Sequence, residues 1–223
     1  MRPPGRPGMT HDGWSLARRS VIIGAALSLL GGRARASDFA YKNWRFNTDA
    51  VHGPLADELV RSLQAQIDLV ESLGIKPEIK AFFRRVDVKI DPSTLGLTGI
   101  YRSRTSGNAL VADTRRIFLT TRVIAPDSPS LLYLLLLAYV DQRVPPDWRK
   151  AALTRWLEAA KRTDAFGNRS EMLHSPPEFF AACAAVVLWG RASREPLTRE
   201  KVRDKLPDFY AWIAKEFFAP GAL

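Results

Sequence analysis

One cysteine, Cys183, in 223 residues rules out any intramolecular disulfide, whatever the redox compartment. It stands among four alanines (Ala181, Ala182, Ala184 and Ala185), where nothing would lower its pKa, so a buried, inert thiol is expected. Histidine is scarce as well, with only His11, His52 and His174, too few for a site built from several imidazoles. Long hydrophobic runs are also missing. The longest apolar stretches, residues 20–32, 131–140 and 179–190, all fall short of the roughly 20 residues that span a bilayer. No internal repeat, low-complexity tract or interdomain linker interrupts the chain.

Acidic charge is in short supply: 33 lysines and arginines face 23 aspartates and glutamates, a net charge of +10. Much of that excess sits at the N-terminus. Arg18 and Arg19 form a twin arginine ahead of the 13-residue apolar core, and Ala34-Arg35-Ala36 has the small-x-small form of a signal-peptidase site. Residues 1–36 are therefore expected to be a twin-arginine-type signal peptide, cut after Ala36. Contact with the membrane would be transient and the destination periplasmic or secreted. Those residues hold six arginines and one aspartate, which leaves 27 basic and 22 acidic residues in a mature chain of 187, a net charge of +5. Spread along the chain and without a recognised reading module, this charge describes a solvated surface and gives no ground for nucleic-acid binding.

Residues 37–223 are long enough for one domain with a real core. Residues 37–53 are aromatic and irregular, an expected overlay on that core. Pro54 opens an amphipathic helix to about residue 73, where Leu55, Leu59, Leu63, Ile67 and Val70 recur every three or four positions. Pro77 starts a short helical turn. Between residues 86 and 121 the pattern changes to period two, at 86–90, 99–102 and 116–120, which predicts a small antiparallel sheet. Helices follow after Pro129, Pro145, Ser175, Thr198 and Pro207. The fold class is α+β, a mostly helical single domain with a small sheet.

Two helical segments carry a resemblance. The first, residues 131–143, contains Leu136-Leu137-Ala138-Tyr139-x-Asp141-Gln142, and the second opens Glu178-Phe179-Phe180-Ala181. With Pro207-x-Phe209-Tyr210-x-Trp212-Ile213, they resemble a gluzincin-type metallopeptidase domain of the lethal-factor-like kind, over roughly residues 86–218. In that family the first helix bears His-Glu-x-x-His and the second supplies a glutamate as third zinc ligand. The resemblance sets Tyr133 and Leu137 at the two histidine positions, Leu134 at the catalytic glutamate and Glu178 at the third ligand. Some relatives also have a tyrosine where this chain has Glu171. The zincin-like frame is thus expected without its zinc chemistry: no metal, no cofactor and no catalytic residue.

Each remaining polar group also has an ordinary role. Ser175 and Glu178 have capping-box spacing. Asp141 is within reach of Arg143 or Arg149, and His174 suits a loop. The leading reading is an exported, proteolytically inactive domain that binds a peptide or protein, or serves structurally. The alternatives are a hydrolase with an atypical metal site drawn from His52, His174, Glu178 and Asp141, and an unrelated helical interaction protein.

Overall fold

The computed structural model describes residues 38–94, 98–103, 115–163, 173, 175–190 and 197–222. Residues 34–223 form one compact unit, and the fold class is α+β. The residues expected to direct export, Arg18, Arg19, Ala34 and Ala36, lie outside the described residues, as do Glu171 and His174.

The expected irregular overlay is a β-hairpin. Strands β1 (Phe39–Tyr41) and β2 (Trp44–Phe46) pair antiparallel across a two-residue loop. Lys42 and Asn43 both have positive φ, 46° and 66°, as a type I′ turn requires. Helix α1 (Asp57–Ser72) begins three residues after Pro54, with Asp57 and Glu58 in its first turn, where acidic side chains complement the helix dipole. The hairpin is tied to α1: Trp44 Nε1 donates to Glu71 Oε1 (2.7 Å) and the Tyr41 hydroxyl to Asp68 Oδ2 (3.2 Å). Glu71 also accepts both prongs of the Arg84 guanidinium from α2 (Pro77–Arg85), at 2.8 and 2.7 Å, a bidentate pair. Burial works against the charge on Glu71, but these donors hold its carboxyl below the usual range. Residues 77–85 thus form a full helix, longer than the turn that Pro77 alone announces.

The three-stranded sheet is mixed rather than wholly antiparallel. Its order is β3 (Val88–Ile90), β5 (Arg116–Leu119), β4 (Gly99–Arg102), so β4 holds one edge. β5 runs antiparallel to β4 but parallel to β3. Period-two alternation determines which face each side chain takes and leaves the direction of the partner strand open.

Helices α3 (Ser130–Arg143) and α5 (Pro176–Trp189) form the centre. Both are apolar around their whole circumference, as a helix enclosed on all sides must be. Pro129, the N-cap residue of α3, has no side chain that could cap it; that role falls to α1. The buried Gln66 side chain accepts from the Leu131 amide (3.1 Å) and donates to the Ser128 carbonyl (2.8 Å), satisfying one of the free donors at the helix start. Ser62 binds both the amide and the carbonyl of Ile124 in the same way, at 2.7 and 3.1 Å. Two buried polar side chains of α1 therefore fix where α3 enters the core.

Helix α5 ends at Gly190, whose φ of 92° is the left-handed conformation of a helix stop. Arg199, which opens α6 (Arg199–Lys205), donates to the free Val187 and Leu188 carbonyls at 2.7 and 3.2 Å. Helices α4 (Pro146–Arg162) and α7 (Pro207–Phe217) close the far side through an aromatic cluster. Trp156 lies edge-on to Phe209 (5.1 Å between centroids) and Trp148 stacks on Trp212 (5.1 Å, 29°). Cys183 is fully buried on α5, and burial pushes its thiol pKa well up, in keeping with an inert side chain. Among the described residues no helix is long and apolar enough to cross a membrane.

Candidate functional site

Helices α3 and α5 pack closely along their length. This brings the N-terminal half of α3, with Tyr133, Leu134 and Leu137, beside the first turn of α5, with Glu178. Tyr133 is only partly buried. Burial pushes its phenol pKa up to about 12, and the neighbouring Glu178 carboxylate adds to the rise by disfavouring a second negative charge. Glu178 itself is exposed, and its backbone amide donates to the Ser175 hydroxyl (3.3 Å), the N-cap contact of α5.

Leu134 points the other way, with 2% of its surface exposed. Its contact is the edge strand: a Cβ added at Gly99 would sit 3.1 Å from Leu134 Cδ1 and 2.5 Å from the Phe118 carbonyl oxygen. Only glycine lets β4 lie this close to both α3 and β5. Leu137, one turn after Tyr133, is partly buried against the core. The aligned residues therefore divide between two environments. Tyr133 and Leu137 keep some access to solvent, whereas Leu134 is sealed beneath the edge of the sheet.

These residues do not fit a zinc ion. A catalytic zinc needs three protein ligands and an open position. Leu134 and Leu137 have no lone pair, and the Tyr133 phenol keeps its proton up to about pH 12, which leaves one carboxylate, Glu178. Among the described residues no group of three or more histidine, cysteine, aspartate or glutamate side chains is gathered where it could hold a metal ion. His52 is exposed in the segment before α1.

Asp141 has a different set of neighbours. Its Oδ2 accepts from the hydroxyls of Tyr101 (2.8 Å) and Ser103 (3.0 Å) on the β4 side, and its Oδ1 from Arg149 (3.0 Å). Arg149 also donates to the Val140 and Asp141 carbonyls, at 3.0 and 2.9 Å, caring for the C-terminal end of α3. Of the two arginines within reach in sequence, Arg149 is the partner, while Arg143 lies over the Phe82 ring at 5.7 Å. Burial raises the Tyr101 phenol pKa, so its hydroxyl remains a donor to Asp141 at neutral pH. Both oxygens of Asp141 are thus spent on joining β4, α3 and the start of α4.

The sequence pointed to Asp141 and missed Tyr101. The signal was present: Tyr101 lies two residues after Gly99 on the same strand, and so on the same face. Tyr139 was likewise noted only as part of a motif. Its hydroxyl donates to Glu216 of α7, and its ring meets Phe82, Phe83 and Phe217 at 5.6, 6.4 and 4.8 Å.

Set against known proteins, the chain matches no protein family, no curated protein and no solved structure.

Proposed function

We propose that this chain is an exported, metallopeptidase-like protein that does not cleave peptides and keeps the shape of such a domain for binding a peptide or protein, or for structure. The observation that carries this reading is the nearness of Tyr133 to Glu178. The resemblance assigns these two positions to the first and third zinc ligands, and they are electrostatic neighbours across the α3–α5 junction. The chemistry at the remaining positions supports inactivity. A leucine at 134 cannot take a proton from a water molecule, and tyrosine and leucine at 133 and 137 cannot replace two imidazoles. The Asp141 carboxylate, committed to Arg149, Tyr101 and Ser103, is a poor candidate for an alternative hydrolytic centre.

Restoring the ligands tests the geometry. The double variant Tyr133→His and Leu137→His, with Leu134 retained, should acquire a zinc affinity measurable by competition with a chromophoric chelator. Adding Glu178→Ala should weaken that affinity by at least the ~10-fold that loss of even an outer-shell partner costs. A double variant that binds zinc no better than the parent would mean that these positions do not converge on a common point.

Export rests on the arginine pair, the short apolar core and Ala34-Arg35-Ala36. Replacing Arg18 and Arg19 together by lysine should leave uncleaved precursor inside the cell. Undiminished export of that variant would exclude the twin-arginine route.

A further inference from the structure

Only Ser37 and Asp38 stand between Ala36, where the leader is expected to end, and Phe39, the first residue of β1. We propose that β1 controls removal of the leader, which a signal peptidase can cut off only while β1 is detached from β2. The proposal rests on the export reading above, in which a chain that has already folded meets the peptidase with its leader attached.

Reach is the obstacle. A fully extended chain covers at most about 3.6 Å per residue, so the bond between Ala36 and Ser37 lies within roughly 7 Å of Phe39. A single helix with its side chains is about 10 Å across. A peptidase that encloses the bond in a cleft therefore meets the folded domain before the bond reaches its catalytic group. Hydrolysis adds water across that bond, leaving a carboxylate on Ala36 and an amine on Ser37. A chain entering such a cleft has to be free and extended, whereas Phe39 is already paired with Phe46.

The hairpin is unequally anchored. On β1, Phe39 is 8% exposed, with its ring 5.4 Å from that of Phe46. Its other ties are the Tyr41 hydroxyl to Asp68 and, in the turn, an exposed ion pair of Lys42 with Asp68, which contributes little. On β2, Trp44 and Phe46 are fully enclosed, and Trp44 donates to Glu71. Asn47, which follows β2, exchanges two backbone hydrogen bonds of 2.8 Å with Val88 and Ile90 of β3. Among the described residues β1 pairs with β2 alone. A short outer strand of this kind peels off while the rest of the domain stays folded. Leader removal then follows the population of the open form. Until β1 opens, the folded domain stays joined to the apolar stretch of residues 20–32.

The test incubates the folded full chain with signal peptidase in phospholipid vesicles and locates the cut by N-terminal sequencing. Phe39→Ala should speed cleavage about tenfold or more, the change in open population when a buried phenyl group is given up. Inserting Gly-Ser-Gly-Ser between Asp38 and Phe39 adds about 14 Å of reach. It should speed cleavage at least as much, and Phe39→Ala in that background should add nothing further. The insertion changes no core residue, so it stays informative if Phe39→Ala folds poorly. Phe180→Ala removes a buried ring whose partners lie in α7, and should leave the rate unchanged. Acceleration there equal to that of Phe39→Ala would mean that global unfolding exposes the bond, against the proposal. Parent chain diluted from urea should be cut quickly after Ala36. If even that chain is not cut, the leader reading falls and the proposal with it. An inserted variant cut no faster than the folded parent, while the urea-diluted chain is cut, would overturn the proposal and leave the leader reading standing.

Discussion

Replacing Leu134 by glutamate should unfold much of the protein, although the proposed resemblance sets a glutamate at this position. Leu134 is 2% exposed and sits between α3 and the edge strand, against Gly99. Its burial contributes about 2 kcal/mol, which is lost. A carboxylate in its place adds a desolvation penalty of several kcal/mol, with no cation among its described contacts to offset it. Against a total stability of about 5–15 kcal/mol for a domain of this size, the loss removes a third of it or more. Urea unfolding should show a much lower midpoint, or no folded baseline. Leu137→Glu, one helical turn from Tyr133 and partly exposed, should cost clearly less. Equal costs at the two positions would mean that Leu134 is not on the sealed side of α3.

Phe180→Ala should cost about 3–5 kcal/mol, the range for removing a phenylalanine from a close-packed core. Phe180 is fully buried on α5, and its ring meets Phe209 and Trp212 of α7 edge-on, each 5.9 Å between centroids. The cluster continues to Trp156, whose indole nitrogen is buried without a hydrogen-bond partner among the described residues, and through Trp212 to Trp148. Removing Phe180 leaves a cavity lined by large rigid rings that cannot collapse inward, which puts the cost toward the upper end. The fluorescence of Trp156 and Trp212 should shift to longer wavelength as water reaches them. A loss under about 1 kcal/mol, the scale of a surface substitution, would contradict this packing.

The parts of the fold that follow local rules could be read from the sequence. Ser175-Pro176-Pro177 and Gly190 bracket α5 because a hydroxyl, two prolines and a glycine each solve a defined problem at a helix end. The all-apolar run at 131–140 is a buried helix, and Leu59, Leu63, Ile67 and Val70 form the inner stripe of α1. Features that depend on distant partners were hidden. The hairpin turn uses Lys42 and Asn43 in place of an Asn-Gly pair, so Asn43 alone, a residue that tolerates positive φ, hinted at it. The parallel pairing of β3 with β5 joins strands that are not consecutive in the chain. Gln66 and Ser62 read as ordinary polar gaps in a helix, yet they are buried and fix the entry of α3.

The candidate site was readable in the same uneven way. Its positions on two helices could be listed from the motifs, and the raised Tyr133 pKa then ties one of them to Glu178. The commitment of Asp141 to Tyr101, Ser103 and Arg149 could not be foreseen, because it joins three elements across 40 residues on one side and 8 on the other.

The central claim is the proposed one, that Glu178 stands at the position of a third zinc ligand while the positions of the other two ligands and of the base carry residues that cannot serve. The most direct test is the zinc content of the purified native chain after incubation with zinc and exhaustive dialysis, followed by incubation with an unfolded protein substrate. The account predicts far less than one zinc per chain and no cleavage above that of a blank. One tightly held zinc per chain, or cleavage abolished by a chelator, would contradict it.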